Sequence, residues 1–140
     1  MKTNLTLLLQ IAAVMHLGLI CAGLMMPRAV NLRFHLKTLP QFIRRLYWVY
    51  YSFIGLSLVS FGALSFFLAP ELASGTALAR AVCGFLVLFW TVRLFVAGFV
   101  FDVKPYLTST LWKAGYQATN AVFVLLPVIY AWVAFAGGAR

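Results

Sequence analysis

Four long apolar stretches, at about 4–26, 46–69, 79–101 and 114–136, decide what this chain can become. Each is close to the roughly 20 residues a helix needs to cross the hydrocarbon core of a bilayer. Helix breakers stand between them, as Met26-Pro27, Ala69-Pro70-Glu71 and Lys104-Pro105. Composition agrees: 64% of the residues are hydrophobic and 9% are charged, against about a quarter charged in a soluble domain. Such a chain cannot cover itself with a polar surface in water. The strands of a membrane barrel would alternate apolar and polar residues, and these runs do not. No repeat or low-complexity linker divides the chain, so residues 1–140 read as one transmembrane domain. The expected fold is all-α, an integral membrane protein built as an antiparallel bundle of four transmembrane helices.

The first stretch, Lys2 followed by "LTLLLQIAAVMHLGLICAG", has an apolar part longer than a signal-peptide core. Before Cys21 stands Ile20, where a lipoprotein cleavage site needs a small residue. Cleavage would also carry a basic segment across the membrane, so we read this stretch as a retained first span.

The net charge of +9 is read as topology, because basic residues gather on the cytoplasmic side of membrane proteins. No nucleic-acid-binding module is discernible, and no nucleic-acid partner is expected. Arg28, Arg33, Lys37, Arg44 and Arg45 lie in the first connection, with Lys104 and Lys113 in the third. The opposite side has Lys2, Arg80 and Arg140. Seven against three places the 27–45 and 102–113 connections in the cytoplasm and both termini outside. The expected location is a bacterial cytoplasmic (inner) membrane.

Within the first connection, Thr38 and Gln41 have capping-box spacing around Pro40. The second helix is therefore expected to begin near residue 39, in the cytoplasmic interface, and to run unbroken into the membrane. Tyr47, Trp48, Tyr50 and Tyr51 would form its aromatic belt. The five basic residues of this connection are candidate contacts for anionic lipid headgroups. His35 reads as solvated surface.

The polar residues inside the spans are the candidates for function. Arg93 stands eight residues before the cytoplasmic end of the third span, about 12 Å deep at about 1.5 Å per residue. Asp102 is half a turn out of phase with it, so the two face opposite sides of a helix. Gly84, Thr91 and Gly98 recur every seven residues on the Asp102 face, as small residues do where helices pack closely. Gly55 and Gly62 on the second span are read the same way. In the cytoplasmic half the fourth span offers Tyr116, Gln117, Thr119 and Asn120, the last close to the depth of Arg93; the second span offers Tyr51 nearby, and the first offers His16 near the midplane. Arg93, His16, Tyr116, Gln117, Asn120 and Tyr51 are thus the candidate ligand-binding set, and for His16 taken alone a packing role is favoured.

Catalytic constellations are poor. Glu71 and Asp102 fall on opposite sides of the membrane, and no nucleophile, zincin or phosphate-loop motif occurs. Cys21 and Cys83 form no C-x-x-C pair and lie near opposite faces, too far apart for a disulfide. No catalytic residue, metal site or cofactor is expected. The expected function is non-enzymatic: an accessory or assembly partner of another membrane protein, or of further copies of itself, acting through helix faces in the bilayer. The alternative is a small-molecule or lipid binder (a minor transporter or membrane enzyme) with a polar pocket around Arg93.

Overall fold

The computed structural model describes residues 2–100 and 108–138. It contains α1 (Lys2–Ala29), α2 (Leu32–Lys37), α3 (Gln41–Phe67), α4 (Ala69–Leu72), α5 (Ala77–Phe99) and α6 (Thr110–Gly138). No strand occurs among the described residues. Helices α1, α3, α5 and α6 are each long and apolar enough to cross a membrane. At about 1.5 Å per residue, the shortest of them, α5 with 23 residues, exceeds the roughly 30 Å of a hydrocarbon core. Lys104, Pro105 and Asp102 lie outside the described residues.

The helix ends follow local chemistry. Helix α1 runs past the expected stop and carries Pro27 in its last turn. Helix α3 begins at Gln41 with Pro40 as its N-cap and no side-chain cap, so the expected Thr38–Gln41 capping box does not form. The Thr38 hydroxyl instead donates to the His35 carbonyl at 2.7 Å and closes α2. Helix α3 stops at Phe67, two residues short of the expected span. Leu68 leaves helical geometry there, and Pro70 has no N–H to continue the ladder. Thr76 caps α5 by accepting from the Ala79 N–H at 3.2 Å. The Ser109 hydroxyl accepts from the Trp112 N–H at 3.4 Å and starts α6.

Helix α1 packs against α3 on one side and α6 on the other, and α6 packs in turn against α5. Phe61 of α3 reaches Phe85 and Phe89 of α5, with ring centroids 6.0 and 4.9 Å apart. One end is sealed by α4 and the turn after it. Gly75 has φ +75°, and a Cβ there would come 1.7 Å from the Gly137 carbonyl oxygen, so two backbones touch where only glycine fits.

Among the described residues, burial is concentrated in the half nearest that seal. Buried residues run from Leu5 to Leu19 on α1, Ala79 to Trp90 on α5 and Phe123 to Val133 on α6, with Ser65, Ala69, Leu72 and Ala73 between. Residues 20–29, 41–64, 91–99 and 110–122 include no buried residue, and at that end only Leu36 of α2 is buried. Helix α3 buries a single side chain, Ser65. We call the two parts the closed half and the basic half, because Arg28, Arg33, Lys37, Arg44, Arg45 and Lys113 are all in the second, with Arg93 at the border.

Candidate functional site

The closed half has a polar centre. His16 faces inward on α1 with Leu5, Leu9, Ala12 and Leu19, spaced three and four residues apart as one helical face requires. Its ring is fully buried and meets a ring from each of the other three long helices. Those are Phe61 of α3 at 6.4 Å, Trp90 of α5 at 5.2 Å and Tyr130 of α6 at 6.3 Å between centroids, all edge-on. Gly62 of α3 makes room for it, since a Cβ at 62 would stand 3.1 Å from the His16 Cβ. The ring's Nδ1 hydrogen-bonds the Ala12 carbonyl one turn earlier, at 2.7 Å. Beside it the hydroxyls of Ser65 and Tyr130 join α3 to α6 at 2.5 Å. Two buried atoms, His16 Nε2 and Trp90 Nε1, have no hydrogen-bond partner among the described residues.

Arg93 stands one turn further along the same face of α5 as Cys83, Leu86 and Trp90, at the border of the two halves. It is half-buried, and its guanidinium carbon lies 5.1 Å from the centre of the Phe123 ring of α6. Phe123 stacks on Trp90 at 5.8 Å and 28°, and Trp90 meets His16. Arg93 and His16 are therefore linked through two aromatic rings. A cation over a ring face is held by the ring's quadrupole, and such contacts strengthen away from water.

The other candidate residues are more dispersed. Asn120 and Tyr116 are half-buried on α6, at and before the turn that presents Phe123, while Gln117 is exposed. Tyr51 of α3 turns to α1, where its hydroxyl donates to the Gly23 carbonyl. Of the expected packing glycines, Gly62 meets His16, whereas a Cβ at Gly55, Gly84 or Gly98 would meet none of the described residues within 4 Å. Thr91, between Gly84 and Gly98, is half-buried. Arg28, Arg33, Lys37 and Arg45 are exposed and Arg44 is half-buried, around the α1–α2–α3 end. Cys21 is exposed and Cys83 buried, both as free thiols. Among the described residues, no group of three or more His, Cys, Asp or Glu could hold a metal ion.

Trp90, Tyr130 and Ser65 were not singled out by the sequence. Their spans are apolar all round, so no amphipathic stripe marks the inward face. The available signal was modest: Trp90 is three residues before Arg93, on the same helical face. Comparison of the chain with protein families, curated proteins and solved structures finds no match.

Proposed function

We propose that the chain is an integral protein of a bacterial cytoplasmic membrane, a four-helix bundle with both termini outside, and that it acts without catalysis as an accessory partner of another membrane protein. The observation that carries this reading is the uneven core. The closed half is packed around His16, whereas the described residues of the basic half have half-buried polar groups and exposed apolar faces and, Leu36 apart, no buried side chain. A second transmembrane helix set against α3 and α5 there would bury Phe53, Leu56 and Phe95, and would find the open backbone at Gly98 to approach closely. The basic residues at that end favour the cytoplasmic face and anionic headgroups.

A second reading rests on Arg93. Its guanidinium lies at the edge of the packed core, and an anionic small molecule or lipid entering the basic half would reach it where the packed core begins. One experiment separates the two. Photoreactive residues placed at Phe53, Leu56 and Phe95 in cells should give discrete protein adducts, while those at Leu17 and Leu78 in the closed half should not. Adducts of lipid alone at all five sites would discard the partner and leave the Arg93 reading.

A further inference from the structure

The two unmatched atoms at the centre of the closed half are complementary. His16 Nδ1 lies 2.7 Å from the Ala12 carbonyl oxygen. A carbonyl only accepts, so Nδ1 holds the hydrogen, and the neutral ring offers a bare lone pair at Nε2. The Trp90 indole N–H can only donate. Both side chains are fully buried, His16 at 0% and Trp90 at 1% exposure. Their rings are neighbours on α1 and α5, 5.2 Å apart and 73° to one another. The two atoms are not bonded to each other. His16 is fixed by its Ala12 bond and by Gly62 of α3 against its Cβ, and Trp90 is fixed by the Phe123 ring stacked on it.

We propose that one water molecule bridges them, accepting from Trp90 Nε1–H and donating to His16 Nε2. Buried polar groups in folded proteins are matched, and an enclosed water is the usual means when two side chains do not reach each other. The pair selects for this chemistry. A bare anion such as a halide has no hydrogen to give to Nε2, and a metal ion bound there could not accept from the indole. Water does both and keeps a hydrogen over. Pro127 returns no N–H to the carbonyl of Phe123, whose ring stacks on Trp90, which leaves that carbonyl able to accept that hydrogen. The bridge would join α1 to α5 through a molecule held entirely inside the packed half.

The test is nuclear magnetic resonance on the 15N-labelled protein in detergent micelles. The Trp90 indole signal is assigned by its loss in Trp90→Phe, and the signals of Trp48, Trp112 and Trp132 report that the fold is kept. Magnetisation should pass from water to the Trp90 indole hydrogen at a rate that does not change with pH, as expected of a bound molecule rather than exchange. The transfer should fall several-fold in His16→Phe. The His16 Nε2 shift should be that of an unprotonated nitrogen. A scalar coupling between Trp90 Nε1 and His16 Nε2 would show a direct bond and overturn the proposal. So would the absence of any water transfer to Trp90 in the folded wild-type protein, a result that needs no variant to fold.

Discussion

Pro27 leaves the Gly23 carbonyl without its helical donor, because proline at position i has no N–H for residue i−4. The Tyr51 hydroxyl of α3 takes that carbonyl. This explains how α1 keeps a proline in its last turn and runs on to Ala29; neighbouring helices commonly satisfy backbone groups that proline frees in apolar surroundings. Tyr51→Phe should therefore destabilise the protein by about 1 kcal/mol, the net worth of a hydrogen bond. In a Pro27→Ala background, where the new residue restores the N–H, the same change should cost much less. Unfolding of the two single variants and the double variant in detergent measures that coupling. Arg93 gives a second cycle. Its guanidinium sits over Phe123, and a cation–π contact away from water is worth about 1–2 kcal/mol. Phe123→Leu and Arg93→Met should be coupled by about 1 kcal/mol, whereas Asn120→Leu and Arg93→Met should be closer to additive. Strong coupling to Asn120 instead would move the principal contact of Arg93 one turn back along α6.

At the scale of elements, the number of long helices and their rough extents were legible, because apolar runs of about 20 residues have few other outcomes. Their faces were not. In α3 and α5 apolar residues surround the whole helix, and the inward stripe is set by partners distant in sequence, such as His16 opposite Gly62. The spacing of seven that links Gly55 to Gly62 also links Gly84 to Gly98 through Thr91, yet of these four glycines only Gly62 meets a neighbouring helix closely among the described residues. The two classes should separate on substitution. Gly62→Ala forces its Cβ against His16 and should destabilise by about 1–3 kcal/mol, the range for overpacking. Gly84→Ala and Gly98→Ala meet open space and gain helix propensity, so they should be neutral or stabilising by up to about 1 kcal/mol. Thermal unfolding in detergent reads all three. A loss at Gly84 or Gly98 equal to that at Gly62 would mean that a second copy packs there in the purified protein. The capping-box reading of Thr38 failed for a local reason: its hydroxyl closes the helix before it rather than opening the one after it.

For the whole molecule, charge asymmetry and packing asymmetry coincide. The basic residues around α2 were legible because orientation in a membrane depends on them. The concentration of the core at the opposite end was not, since mean hydropathy is high in all four spans and does not record which residues meet. The proposed orientation is tested by labelling: cysteines introduced at Lys37 and Ser74, both exposed, in a chain lacking Cys21 and Cys83, should label from opposite sides, with position 37 cytoplasmic. Labelling from one side would mean that the chain does not cross four times. Packing asymmetry is tested most directly by paired truncations of the purified protein. Leu9 and Leu126 are 0% exposed in the closed half, while Leu24 and Leu111 on the same two helices are 65% and 73% exposed in the basic half. Leu9→Ala and Leu126→Ala should each lower the unfolding free energy in detergent by about 2–5 kcal/mol. Leu24→Ala and Leu111→Ala should each lower it by less than about 0.5 kcal/mol, as surface changes do. Equal losses in the two halves would contradict the account, because the basic half would then have a core of its own and no need of a partner to complete it.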